Sequence, residues 1–247
     1  MSHNPVFDFA QVSDIGQRAE NQDYMRSFFH QQQALLVVAD GLGGHKGGAI
    51  ASRLFTKYFM DLLCQRILEQ DYPTRQDIES ITLQASQKMQ CDAQADDAEL
   101  DPRTTFVMAW VTQEKIVSAH IGDSRFYLIR KKRLTHSKDH SLVQLLVKQG
   151  KVKPQDAGTH PDQHKLYRSI GSPKPVKPTL SSYQKLQAGE GILLCSDGFW
   201  EYIKPSEIRA LLKAEDLQRN LQHLVDQIVQ RVGSQCDNVT AQVVRLR

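Results

Sequence analysis

An α+β fold follows from three features of this 247-residue chain. Short apolar runs of strand length open and close it. Two long stretches with helical spacing separate the early strands from the later ones. The gaps between the middle strands are too short for crossover helices, so those strands read as antiparallel. In order, Phe7 to Ser13 alternates apolar and polar residues and opens as a strand. A polar cluster, Arg18-Ala19-Glu20-Asn21-Gln22-Asp23, leads into a second strand from Tyr24 to Phe29. Gln31-Gln32-Gln33 turns the chain into a third strand, the apolar run ending at Asp40. Leu54, Tyr58, Leu62 and Leu63 keep helical spacing between Gly48 and Glu69. Ile78, Ile81, Ala85 and Met89 do so between Thr74 and Gln94, with Pro73-Thr74 as the start.

After Asp101-Pro102-Arg103 the period shortens to that of a strand. Thr104 to Thr112, Ile116 to Ile121 and Phe126 to Arg130 read as a three-strand meander. Arg130-Lys131-Lys132-Arg133 reads as a solvated hairpin tip, since no aromatic platform accompanies it for nucleic acid. Ser141 to Gln149 is a short helix stopped by Gly150. Lys151 to Pro178 is irregular, polar and punctuated by proline, a mobile surface element within one domain spanning 1–247. Strands at Leu180 to Leu186 and Gly191 to Cys195, helices at Pro205 to Lys213 and Asp216 to Val232, and a last strand at Val239 to Leu246 complete the chain.

Bulk properties narrow the function classes. A hydrophobic content of 40% and a charged content of 24% are those of an ordinary globular protein. A formal charge of +3 is too small to argue for nucleic acid. Cys64, Cys91, Cys195 and Cys236 are scattered, with no C-x-x-C pair, which speaks against a disulfide framework and a thiolate zinc site. The start lacks the basic and apolar segments of a signal peptide, and no apolar run suits a membrane. The expectation is a soluble, cytoplasmic protein with reduced thiols.

The chemistry is concentrated in acids at strand ends. Asp40 follows Leu-Leu-Val-Val-Ala, Asp197 follows Ile-Leu-Leu-Cys-Ser, Asp123 follows Ala-His-Ile-Gly, and Asp237 precedes the final strand. Each alone could be a turn residue. Gathered at one sheet end they would repel one another, and only cations make such a cluster tolerable. An all-oxygen set suits Mg2+ or Mn2+ better than zinc or copper. The glycines after Asp40 fit neither phosphate-cradling pattern. Gly43 to Gly48 is followed by Ala49, not by Lys and Ser or Thr, and Gly41-Leu42-Gly43-Gly44-His45-Lys46 lacks the third glycine of the dinucleotide fingerprint.

An ordered set of motifs resembles the type 2C family of metal-dependent serine/threonine protein phosphatases. It comprises Arg18-x-x-Asn21-Gln22-Asp23, Val38-Ala39-Asp40-Gly41-x-Gly43-Gly44, Thr104-Thr105, Gly122-Asp123-Ser124-Arg125, Asp139-His140-Ser141, Cys195-Ser196-Asp197-Gly198 and Asp237-Asn238-Val239-Thr240. The likeness runs from about Ser13 to Val244 and is that of a compact bacterial member. It implies a four-layer αββα sandwich, two antiparallel sheets flanked by helix pairs. It further implies that Asp40 bridges two Mn2+ or Mg2+ ions and that the Gly41 carbonyl helps hold one. Asp197 and Asp237 bind the other, Asp23 acts through coordinated water, and Asp123 with Asp197 holds a weaker third ion. Arg18 grips the substrate phosphate as a bidentate donor. A water shared by the two ions then attacks phosphorus in line, with no phosphoenzyme.

The implied partners are phosphoserine and phosphothreonine proteins, targets of a cognate serine/threonine kinase, and the implied state is a monomer free of nucleic acid and membrane. Leu42 and Arg103 depart from the pattern, standing where many relatives have a histidine and a glycine. His45 and the trio His136, Asp139 and His140 are expected to be structural. Residues 141–178 correspond to the family's variable flap. A phosphoprotein-binding relic without activity and a phosphatase of small metabolites are the competing readings.

Overall fold

The computed structural model describes residues 7–42, 47–69, 72–153, 156, 160–173 and 177–247. Among the described residues, ten strands form two five-stranded antiparallel sheets. The first sheet takes β1 (Phe7–Asp14), β10 (Val239–Leu246), β9 (Gly191–Cys195), β6 (Arg125–Ile129) and β7 (Leu134–His136), in that spatial order. The second takes β2 (Asp23–His30), β3 (Gln33–Asp40), β4 (Phe106–Val111), β5 (Lys115–Ile121) and β8 (Thr179–Gln184).

The strand periodicity sorts side chains into three apolar layers. Ala34, Leu36 and Val38 of β3 meet Phe126 and Leu128 of β6 and Ile192 and Leu194 of β9 between the sheets. The alternate residues Leu35 and Val37 point the other way, into a core shared with α1 (Gly48–Leu68) and α2 (Arg75–Asp96). On the far side, Leu193 and Cys195 pack with Ile208 and Leu211 of α5 (Pro205–Leu211) and Leu221, Val225 and Ile228 of α6 (Leu217–Val232). Both faces of each sheet are therefore covered. This is why β3, β4 and β9 read as continuous apolar runs and not as alternating ones.

Helix ends follow local chemistry. Thr74 and Asp77 form a reciprocal capping box at the start of α2. Asp216 accepts from the Arg219 amide at the start of α6, which stops at Gly233 with φ +66°. Ser141 caps α3 (Leu142–Lys148), and Gly150 follows it with φ +72°.

The observed architecture is the expected αββα sandwich, with one topological correction. The three-strand meander ends after β5. Gly122, at φ +100°, turns the chain out of the second sheet, and β6 enters the first, where Arg125 lies opposite Cys195. A Cβ at Gly122 would stand 2.8 Å from the Thr105 side chain, so this layer change requires glycine. The edge of β5 left open by that exit is taken by β8. A short gap can join two layers as well as two neighbours, and the strand spacing alone does not distinguish them. The one-turn helix α4 (Asp197–Trp200) and strand β7 also lie outside the sequence expectation.

Candidate active site

Antiparallel pairing brings strand starts and strand ends to the same rim, and that is where the acids collect. Asp23 opens β2 directly opposite Asp40, which closes β3. Asp123 sits in the turn between β5 and β6, Asp197 is the first residue of α4 just beyond β9, and Asp237 lies two residues before β10.

Short polar side chains fix this rim. The paired threonines hold the Asp40 backbone from both sides. Asp40 N donates to Thr105 Oγ1 at 2.9 Å, while Asp40 O accepts from Thr104 Oγ1 at 2.8 Å and from the Thr105 amide at 2.7 Å. Thr105 Oγ1 in turn meets Ser124 Oγ at 2.6 Å, next to Asp123. Asn238 ties the first loop to the last strand. Its Oδ1 accepts from the Gln22 amide, and its Nδ2 donates to the carbonyls of Ile15 and Glu20. Ser196 Oγ donates to Asp23 Oδ2 at 2.7 Å. At Gly41 an added Cβ would fall 2.2 Å from the Gly48 carbonyl oxygen, so the strand end can approach the start of α1 only with glycine there.

The electrostatics are those of an unbalanced cluster. Asp23 and Asp123 are buried, with 7% and 5% of their surface exposed. Burial, reinforced by the charges of Asp197 and Asp237, pushes the Asp23 carboxyl up to about 8 against the pull of the Ser196 hydrogen bond. Burial and then the charges of Asp23, Asp197, Asp123 and Asp237 raise Asp40 well above the usual carboxylate range. Burial and then Asp197 and Asp139 do the same to Asp123. Asp23 Oδ1 is buried with no hydrogen-bond partner. An orphaned carboxylate oxygen among mutually repelling acids is the arrangement that a hard divalent cation resolves, so the donor set fits Mn2+ or Mg2+. Arg18 stands at the exposed rim, its Nη2 2.8 Å from Asp237 Oδ2.

The structure thus gathers Asp23, Asp40, Asp123, Asp197 and Asp237, with Gly41 following Asp40 and Arg18 beside Asp237. It also brings in two groups that the sequence did not single out. His164, from the 141–178 segment, lies 3.6 Å from Asp197 and 3.5 Å from Glu201. The attraction of Asp197 pushes this imidazole up to about 9, and burial pushes Glu201 up to about 7. Glu201 was in principle legible, since it lies one helical turn after Asp197. His164 carries no local signal. Of the trio His136, Asp139 and His140, the last two are satisfied by the chain itself. Asp139 accepts both arms of Arg125 at 2.9 and 2.7 Å, and His140 bonds the Gly122 amide and Thr179 Oγ1. Leu42 donates its amide to the Arg103 carbonyl, and Arg103 itself pairs with Asp101. His45 falls outside the described residues.

Comparisons with known proteins bear on the family and the fold. The family model for protein phosphatase 2C matches residues 10–243. Protein phosphatase PhpP of Streptococcus pneumoniae is 29% identical over 238 residues, covering 95% of this chain and 96% of the relative. The crystal structure of the Streptococcus agalactiae serine/threonine phosphatase superposes with a TM-score of 0.82 at 29% identity, covering 98% of this chain and all of the other. The catalytic domain of the serine/threonine protein phosphatase PstP, solved in complex with two manganese ions, gives 0.78 at 28% identity, with 97% of each chain covered. The matched span takes in every acid of the rim, and the chain belongs to the protein phosphatase 2C family.

Proposed function

We propose that this protein hydrolyses phosphoserine and phosphothreonine monoesters on proteins, using two Mn2+ or Mg2+ ions held at the acid rim. The observation that carries the reading is the convergence of five acids, with Asp23 Oδ1 left unpaired and an arginine poised at the edge. Asp40, the Gly41 carbonyl, Asp197 and Asp237 are the groups that would hold the two ions. Asp23 would contribute through coordinated water, and Asp123 with Asp197 would hold a weaker third ion. Bound there, such ions supply Lewis acidity and lower the pKa of a shared water toward neutrality.

The chain's own groups do the rest. Thr104, Thr105 and Ser124 hold the acids in place, so little reorganisation accompanies reaction. The Arg18 guanidinium, steadied by Asp237 and open to solvent, presents its remaining N–H groups to phosphoryl oxygens and neutralises charge as the ester bond breaks. A cysteine route is disfavoured, since burial pushes the Cys195 thiol far up and Cys64 up to about 11.

Four finer points belong to the same proposal. Residues 1–247 act as one catalytic domain in which the 141–178 segment shapes substrate choice, supported by the His164 contact with Asp197. The protein works as a monomer, because every group of the rim comes from one chain. Its substrates are targets of a serine/threonine kinase. It works in the cytoplasm, where four free cysteines suit a reducing medium. Among the described residues no helix is long and apolar enough to cross a membrane. The test is Mn2+-dependent release of phosphate from a phosphothreonine peptide, abolished by chelator and by Asp40→Ala. Equal turnover with and without chelator overturns the reading, and a marked preference for sugar phosphates moves it to small metabolites.

A further inference from the structure

His164, Asp197 and Glu201 bring one nitrogen and two carboxylate oxygens within 4.8 Å of one another. The two contacts of His164 Nδ1, 3.6 Å to Asp197 Oδ2 and 3.5 Å to Glu201 Oε1, are too long for charge-assisted hydrogen bonds, which close to roughly 2.7–2.9 Å. They are close to the edge of a coordination tetrahedron, about 3.4 Å for bonds of roughly 2.1 Å. Two atoms of this group lack a hydrogen bond, one of them the Glu201 oxygen just named. Glu201 Oε1 is buried with no hydrogen bond, and so is Gln163 Oε1. The Gln163 amide already lies against the other ring nitrogen, with its Nε2 3.0 Å from His164 Nε2. A half-turn of that amide would place its oxygen on the Nε2–H. This would fix the tautomer in which Nδ1 is free to ligate, as an outer partner does for most metal-bound histidines.

We propose that His164, Asp197 and Glu201 form a separate site for a borderline transition ion, Zn2+ or Mn2+, which ties the 141–178 segment to α4 beside the catalytic rim. The proposal rests on the reading of Asp197 as a ligand of the catalytic ions, since its carboxylate then serves both. It differs from the third ion assigned to Asp123 and Asp197 in its ligands and in its selectivity. An imidazole with two carboxylates favours Zn2+ and Mn2+ over Mg2+, which keeps to oxygen and water. The ion also has a mechanical consequence. His164 is 59% exposed and reaches in from an irregular segment, whereas Asp197 opens the short helix α4 and Glu201 caps its end. Occupancy therefore pins the chain at His164 to Asp197 and Glu201, and loss of the ion frees that contact.

The experiment is calorimetric titration of the metal-free full chain with Zn2+, in wild type, His164→Ala, Glu201→Gln, Asp123→Ala and Asp40→Asn. Trypsin cleavage near Lys151 and Lys153, both exposed, is followed in parallel. The expected result is one ion fewer in His164→Ala and Glu201→Gln than in wild type, with cleavage no longer slowed several-fold by Zn2+. Asp123→Ala and Asp40→Asn retain that ion and the protection, even if the catalytic pair is lost. Mg2+ should give no protection in any variant. Equal Zn2+ stoichiometry in wild type and His164→Ala overturns the proposal, as does loss of the protecting ion in Asp123→Ala. Failure of the catalytic reading is read separately, as no difference in binding between wild type and Asp40→Asn.

Discussion

Two polar clusters are buried side by side at one end of this sandwich, and they are built on opposite rules. Around Arg125, Asp139, His120 and His140 every group finds a partner. Arg125 forks onto Asp139 and lies 3.4 Å over the Trp200 ring, His120 bonds the Lys138 carbonyl, and the two imidazoles stack at 4.6 Å. Around Asp23, Asp40 and Asp123 charges of one sign are packed together, and an oxygen is left with nothing to bond. The first cluster is finished by the chain alone and fixes the turn that carries Asp123. The second is left incomplete by the chain itself. A buried carboxylate oxygen without a partner among like charges costs stability, and a bound cation would offset that cost.

The contrast can be broken most sharply at Asp40. Asp40→Asn should lower turnover of a phosphothreonine peptide by about a thousandfold, a loss of ~4 kcal/mol in transition-state stabilisation. The same change should leave the melting temperature of the metal-free protein equal or higher, because it relieves repulsion. A fall in both would place Asp40 among structural acids. Arg125→Ala should do the reverse in kind. It leaves Asp139 buried without its partner, and urea denaturation should show a loss of about 3–5 kcal/mol. Little change would mean that the pair is solvated.

Acid should act on the finished cluster first. Burial, and then the neighbouring His120 and Arg168, hold His140 down at about 3 against an ordinary 6.5. The unfolded chain therefore binds more protons below pH 6.5. The contribution of His140 to stability is complete above that value and is lost as pH falls from 6.5 toward 3. At pH 5 the loss is on the order of 2 kcal/mol, and His140→Gln should flatten the slope of stability against pH between 5 and 6.5. An unchanged slope would remove His140 from the cluster's balance. The smallest effect is expected at the rim. Arg18→Lys keeps the charge but not the fork, and should lower kcat/KM by roughly tenfold with stability unchanged. Equal kinetics would show that a point charge suffices there.

Much of this was legible in the chain, for identifiable reasons. A strand buried on both faces, such as Leu35 to Ala39, reads as an unbroken apolar run, and the last strand's limits of Val239 and Leu246 coincide with the structure. The acids were legible because each interrupts an apolar strand at its end, and because their order along the chain resembles a known family. Only the family resemblance separated the two clusters in the sequence, since Asp139 and His140 offer the same residue types as a metal site. Only their neighbours, Arg125 and Thr179, show them to be satisfied. Nor could spacing tell that the strand after Gly122 joins the other sheet.

The chain alone determined most of its elements, its layer-forming periodicities and the set of acids that resembles the family's, because these depend on residue type and local spacing. Tertiary structure decided which polar groups are paired and which are left open, and it brought His164 to Glu201 across 37 positions. Pairing in space is a relation between distant residues, and no local pattern records it.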